Sequence, residues 1–128
     1  MFDRYMICED TVRNVTDRGQ VIGFQFDARI AYYRGLGLSM VEALGVSVDG
    51  HPIPQERIRF TVGERTFTLS QMETEYDARW EFGEIATVTV LWPGGLPAGE
   101  HRLEFTEDLR VSYMPFPLKG KDSKVVRI

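Results

Sequence analysis

Apolar and polar residues alternate one for one along much of this chain. That is the period of a strand with one face on a core and the other in solvent. The clearest run is Ile22, Phe24, Phe26, Ala28 and Ile30, with Gly23, Gln25, Asp27 and Arg29 between them. Thr11–Val15 reads as a strand ahead of it, joined through a turn at Asp17-Arg18-Gly19. Leu44, Val46 and Val48 alternate next and run into Asp49-Gly50, a hairpin dipeptide because both residues tolerate positive φ. The prolines of His51-Pro52-Ile53-Pro54 lack N–H donors, which keeps that stretch out of a sheet centre. Ile58, Phe60 and Val62 form another set, broken at Gly63-Glu64, and extended structure resumes from Thr66 to Leu69. Ala86, Val88, Val90 and Trp92 alternate with Thr87, Thr89 and Leu91, as in a strand covered on both faces. The last alternation is Leu103, Phe105, then Leu109, Val111 and Tyr113, with an interruption at Glu107-Asp108.

Ser70-Gln71-Met72-Glu73 fits a capping box, and the apolar content after it is too thin for more than a short helix. Residues 93–99, rich in Gly and Pro, read as a loop. The prediction is an all-β chain, an antiparallel β-sandwich with at most one short helix. Residues 1–118 form one domain, and residues 119–128 read as a polar C-terminal tail.

Composition narrows the partners. The 128 residues suit one domain, and 43% hydrophobic content gives it an ordinary core. A formal charge of −4 leaves no basic excess for a phosphate backbone, so nucleic acid is not expected. A single Cys8 excludes an internal disulfide and suits a reducing, cytoplasmic compartment. The opening residues lack a signal-peptide pattern, and no apolar run reaches the ~20 residues of a membrane span.

Chemistry-bearing residues are sparse. His51 lies in the proline-rich turn and His101 opens a strand, and neither has partners at metal-ligand spacing. Cys8 has no cationic cluster to lower its pKa and reads as a structural thiol. The acidic residues Glu73, Glu75, Asp77, Glu81 and Glu84 read as a solvated loop face. No phosphate loop, nucleophile elbow or metal signature occurs, so no catalytic residue is assigned. Three clusters carry interface-type residues. Tyr32, Tyr33 and Arg34 follow a strand beside glycines, and Trp80 stands in the charged segment Asp77–Gly83. Phe116 lies between Pro115 and Pro117 in an apolar stretch that runs from Tyr113 to Leu118. Tyr32, Tyr33, Arg34, Trp80 and Phe116 are therefore candidate partner contacts. Packing within the chain itself is the alternative for each.

Several segments together resemble the β subunit of bacterial C-glycoside deglycosidases. They are the opening Met1-Phe2-Asp3-Arg4-Tyr5-Met6-Ile7-Cys8-Glu9-Asp10, Tyr32-Tyr33-Arg34-Gly35, Val48-Asp49-Gly50, Arg79-Trp80-Glu81-Phe82-Gly83-Glu84, Pro93-Gly94-Gly95-Leu96 and Ser112-Tyr113-Met114-Pro115-Phe116-Pro117. The resemblance spans nearly the whole chain. It implies a lyase that cleaves the carbon–carbon bond between a 3-oxo sugar and an aromatic aglycone, as in C-glucosyl flavonoids. It implies a small non-catalytic β-sandwich bound to a larger α subunit. That partner is expected to be a sugar-isomerase-type barrel carrying the active site and a divalent metal, Mn²⁺ or Mg²⁺, with pairs assembling into a higher hetero-oligomer. No cofactor is expected on this chain. Two other readings stay open: a stand-alone carbohydrate-binding module stacking sugars on Trp80, Tyr32 and Tyr33, or a homo-oligomeric structural domain.

Overall fold

A computed structural model describes residues 5–111 and 114–128. Tyr113, the end of the last alternation, and the opening residues 1–4 lie outside that range. In chain order the elements are β1 (Arg13–Asp17), β2 (Gln20–Ala28), β3 (Leu36–Gly37), β4 (Val41–Val48), β5 (His51–Pro52), β6 (Ile58–Val62), β7 (Arg65–Thr68), α1 (Leu69–Met72), β8 (Arg79–Trp80), β9 (Ala86–Leu91), β10 (Glu100–Leu109) and β11 (Leu118–Arg127). One sheet runs β1-β2-β9-β6-β7 and the other β11-β10-β4-β5, with β3 and β8 paired separately. Every pairing is antiparallel. The all-β sandwich is the fold that the alternation predicts.

The inward rows do what their side chains require. Phe24, Phe26 and Ala28 of β2, Val88 and Val90 of β9, and Ile58 and Phe60 of β6 are buried from one sheet. Leu44 and Val46 of β4 and Leu103, Phe105 and Leu109 of β10 face them from the other. The rings of Phe26 and Phe105 meet across the core edge to face, 5.3 Å apart at 77°. Asp49 (φ 51) and Gly50 (φ 83) both take left-handed conformations, giving the tight hairpin between β4 and β5. The proline-bearing β5 is a two-residue edge strand.

Three readings are corrected. The helix is one turn, and its capping box starts at Thr68 rather than Ser70. Thr68 Oγ1 accepts the Gln71 N–H (3.1 Å) while Gln71 Oε1 accepts the Thr68 N–H (2.9 Å). The interruption at Glu107-Asp108 is absent: β10 is continuous, and Glu107 takes an inward position in the row of Leu103, Phe105 and Leu109. Residues 119–128 are not a tail, because Leu118–Arg127 pairs with β10 along its whole length. The inward positions of β11 include Gly120 and Asp122, which hide the alternation. A Cβ at Gly120 would stand 2.8 Å from Ala31 Cβ, so the crossover after β2 packs directly on this backbone.

The segment Met6–Cys8 closes one side of the sandwich. Ile7 bridges Ala28 of β2, and its N–H donates to Asp122 Oδ2 of β11 at 2.9 Å. The buried Asp122 carboxylate also meets Lys124 Nζ at 2.8 Å, so its charge is compensated.

Candidate functional site

The registers sort the loops into two ends. The Ala28–Ala86 pair and the Val41–Leu109–Leu118 row mark one end, joined across the sheets where Ala31 N–H donates to Glu107 Oε1 at 2.8 Å. This end carries the connections 29–40, 73–85 and 110–117. The turns 18–19, 49–50 and 92–99 lie at the other.

At the second end His101 acts as a latch. Its Nδ1 lies 2.8 Å from Asp49 Oδ2 and its Nε2 lies 2.7 Å from the Pro97 carbonyl. Both ring nitrogens face acceptors, which only the imidazolium satisfies together. The Asp49 hydrogen bond, aided by Pro97, raises the His101 pKa above its usual value. The same bond, with the Arg102 amide, holds Asp49 low. His51 is exposed in β5.

The first end collects every sequence-nominated contact. Gly35 (φ +67) lies so close to the Trp80 carbonyl and Glu81 Cα that a Cβ would meet them at 2.7 and 2.8 Å. This contact and the β3–β8 ladder bring the Tyr32–Arg34 and Asp77–Gly83 clusters side by side. The cluster members have different fates. Trp80 is fully buried, edge to face with Phe60 at 4.9 Å, and its Nε1 donates to the Glu84 carbonyl at 3.1 Å. Tyr32 is buried too. These two side chains therefore fill this chain's own core, because the paired loops fold over them, and they present no open stacking platform. Tyr33 is 50% exposed, with Arg34 held to its hydroxyl at 3.1 Å, and Phe116 is 63% exposed.

The acidic run is mostly loop architecture. Burial pushes the Glu75 carboxyl up. The Ala78 and Asp77 amides and Arg65 at 2.9 Å outweigh that and leave it lowered. Glu84 accepts the Glu81 N–H, closing the turn that carries Phe82. Among the described residues no three His, Cys, Asp or Glu side chains converge as a metal site requires.

Residues outside the nominated set complete the surface. Tyr5, Phe82 and Ile85 are each about half exposed. Two adjoining grooves share Tyr5 and Arg29. One, of about 390 Å³, is lined by Tyr5, Arg29, Ile30, Phe82 and Gly83. The other continues past Ile85 towards Glu9, Asp27 and Lys124. Cys8 borders it, and burial pushes its thiol pKa up, against the pull of Arg29, which disfavours the reactive thiolate. Tyr5, Tyr33, Tyr76, Phe82, Ile85 and Phe116 all lie at this end, whereas the exposed Trp92 lies at the other. Arg29 was legible only as a polar residue in the alternation of β2. Its meeting with Tyr5 and Phe82 depends on pairings that no local pattern signals.

An all-β domain with exposed aromatic side chains gathered on the loops of one end presents the kind of surface that protein interfaces use. The model of the C-glycoside deglycosidase beta subunit family matches residues 2–113, and the chain belongs to that family. A C-glycoside deglycosidase beta subunit of Eubacterium cellulosolvens is 34% identical over 104 residues, 80% of this chain and 71% of the relative. The 3'-dehydrocarminate deglycosidase beta subunit of a Microbacterium species is 34% identical over 116 residues, 90% of this chain and 83% of its own length. An Arthrobacter globiformis C-glycoside deglycosidase beta subunit is 27% identical over 93 residues, 72% of this chain and 70% of the relative. As a beta subunit, this chain has a partner subunit in a heteromeric complex. No helix among the described residues is long and apolar enough to cross a membrane.

Proposed function

We propose that this chain is the non-catalytic subunit of a carbon–carbon lyase that acts on 3-oxo-C-glucosides of flavonoids and related aromatics. In this reading the aromatic loop end seats a larger, barrel-type catalytic subunit. The observation that carries it is the gathering of Tyr5, Tyr33, Phe82, Ile85 and Phe116 at one end of the sandwich. Buried rings at such a face supply most of the affinity in protein interfaces. The name of the Microbacterium relative, with its 3'-dehydro substrate, supports an oxidised sugar.

The chemistry explains the division of labour. A C-glycoside has no exocyclic oxygen to protonate, so ordinary glycosidase chemistry fails. A ketone at C3 acidifies the C2 hydrogen, and a general base removes it. The carbanion's electron pair then forms a C1–C2 double bond as the C1–aryl bond breaks. The aryl carbon takes that bond's electrons and a proton, and phenolic groups on the ring assist its departure. The general base, and a divalent Mn²⁺ or Mg²⁺ ion, belong to the larger subunit. This chain's task is to bind that subunit, in a cytoplasmic complex that assembles into a higher hetero-oligomer.

The test is to purify the chain alone and co-expressed with the larger subunit, then assay both on a 3-oxo-C-glucoside. Turnover by the pair and none by the isolated chain is expected. Turnover by the isolated chain would overturn the reading.

A further inference from the structure

The grooves beside Arg29 have a charge pattern that the subunit reading leaves unexplained. Arg29 follows β2 directly, and its backbone N–H is fixed to the Met6 carbonyl at 2.7 Å. Its side chain is half-buried, yet among the described residues the guanidinium makes no ion pair or hydrogen bond. Asp27, two positions away on the same face, is already held by Arg13 at 3.1 Å and by the Thr87 hydroxyl at 3.0 Å. Glu9 also lines the far groove and forms no ion pair with Arg29, while Lys124 beside it is held by Asp122. Among the described residues lining the nearer groove, which are Tyr5, Arg29, Ile30, Phe82 and Gly83, Arg29 is the one that carries a charge.

On the side of the nearer groove the guanidinium borders apolar surface, and it stays hydrated while that groove is open. Covering it without an anion strips that water and returns nothing. Whatever covers this groove must therefore bring a negative charge. A carboxylate matches the planar fork of donors best, and a neighbouring apolar side chain matches the Tyr5 and Phe82 rings.

We propose that Arg29 is the charge anchor of the subunit interface. It receives a carboxylate side chain of the larger subunit, flanked by an apolar residue that packs between Tyr5 and Phe82. This rests on the subunit reading above. It makes Arg29 a determinant of partner choice, since a larger subunit with a neutral or basic residue there would bury an uncompensated charge.

The test titrates the larger subunit with the wild-type chain and with Arg29→Met, Arg29→Lys and Arg29→Glu, at about 50 and about 300 mM salt. Melts of each free chain run alongside. Arg29→Met is expected to weaken association about 30-fold or more, Arg29→Lys less, and Arg29→Glu most. Wild-type affinity should fall with salt more steeply than that of Arg29→Met, and the free chains should melt alike. A complex indifferent to Arg29 at both salts overturns this proposal alone. So does a free Arg29→Met chain that melts several degrees lower, since the guanidinium would then be engaged within its own chain. Unchanged affinity beside a raised KM for the aromatic substrate overturns it too, by placing Arg29 on the substrate. Failure of the wild-type chain to form any complex sinks the subunit reading itself.

Discussion

Gly35→Ala tests whether the β3–β8 junction positions the Phe82 loop. At φ +67, Gly35 holds a conformation that costs an L-residue about 1–2 kcal/mol. Its new Cβ would also stand 2.7 Å from the Trp80 carbonyl oxygen and 2.8 Å from Glu81 Cα. Both obstacles are backbone atoms, so β8 itself must shift, adding about 1–3 kcal/mol as overpacked sites do. Gly50 is the internal control, with φ +83 and nothing within 4 Å of its Cβ position. Urea denaturation should show Gly50→Ala losing about 1–2 kcal/mol and Gly35→Ala about 2–5 kcal/mol, with unchanged slopes. Because β8 leads into Phe82, Gly35→Ala should also weaken association with the larger subunit about tenfold, about 1.4 kcal/mol, while Gly50→Ala leaves it alone. A Gly35→Ala chain no less stable than Gly50→Ala would refute the argument, since β3 and β8 would then part at no cost.

Phe26, Phe116 and His101 test the core, the aromatic end and the latch in turn. Phe26→Ala removes a fully buried ring and its edge-to-face contact with Phe105, and should cost about 3–5 kcal/mol in chemical denaturation. A loss under about 1 kcal/mol would take β2 out of the core. Phe116 is 63% exposed, so Phe116→Ala should shift the free chain's stability by no more than about 0.5 kcal/mol. The complex should weaken by about 2 kcal/mol in calorimetric titration. A lowered melt with unchanged affinity would contradict that. The raised pKa of His101 means its bond to Asp49 stabilises the fold fully below the unfolded-state value of about 6.5, an effect lost as pH rises through the higher folded-state value. The melting gap between wild type and His101→Gln should therefore narrow as pH rises from about 6 to about 8. A gap that widens over that range would show the latch does not depend on the imidazolium.

The strands that were legible share one property: their inward positions are aliphatic or aromatic. Phe24 and Phe26, Leu44 and Val46, and Ile58 and Phe60 announce a buried face by type alone. β11 stayed hidden because its inward places include glycine and aspartate, acceptable only because Ala31, Ile7 and Lys124 stand opposite them. Glu107 broke the visible alternation for the same reason. A carboxylate in the core is tolerated where the crossover supplies an amide donor, and that donor lies 76 residues away. At the aromatic end, composition marked Tyr33 and Phe116 as contact candidates but could not separate them from Trp80 and Tyr32. The β3–β8 ladder folds two loops over Trp80 and Tyr32, whereas Tyr33 and Phe116 stay exposed. Arg29 carried no signal, because an arginine on the outer row of a strand is ordinary.

The bond from Ile7 to Asp122 spans 115 positions, and that distance sets an order of events. A ribosome delivers Met6–Cys8 early and β11 after all the other strands. Until β11 emerges, Ile7 has Ala28 to bridge but no carboxylate for its amide, and the side of the sandwich beneath it stands open. The groove that runs past Arg29 is unfinished for the same interval, since Lys124 of β11 lines its far part. On the interface reading, a nascent chain has no complete surface to offer its partner subunit until β11 has paired. Fusions or tags that hold β11 away from β10 would interrupt assembly at that step while leaving the eight earlier-made strands of the two main sheets, and the separate β3–β8 pair, free to form.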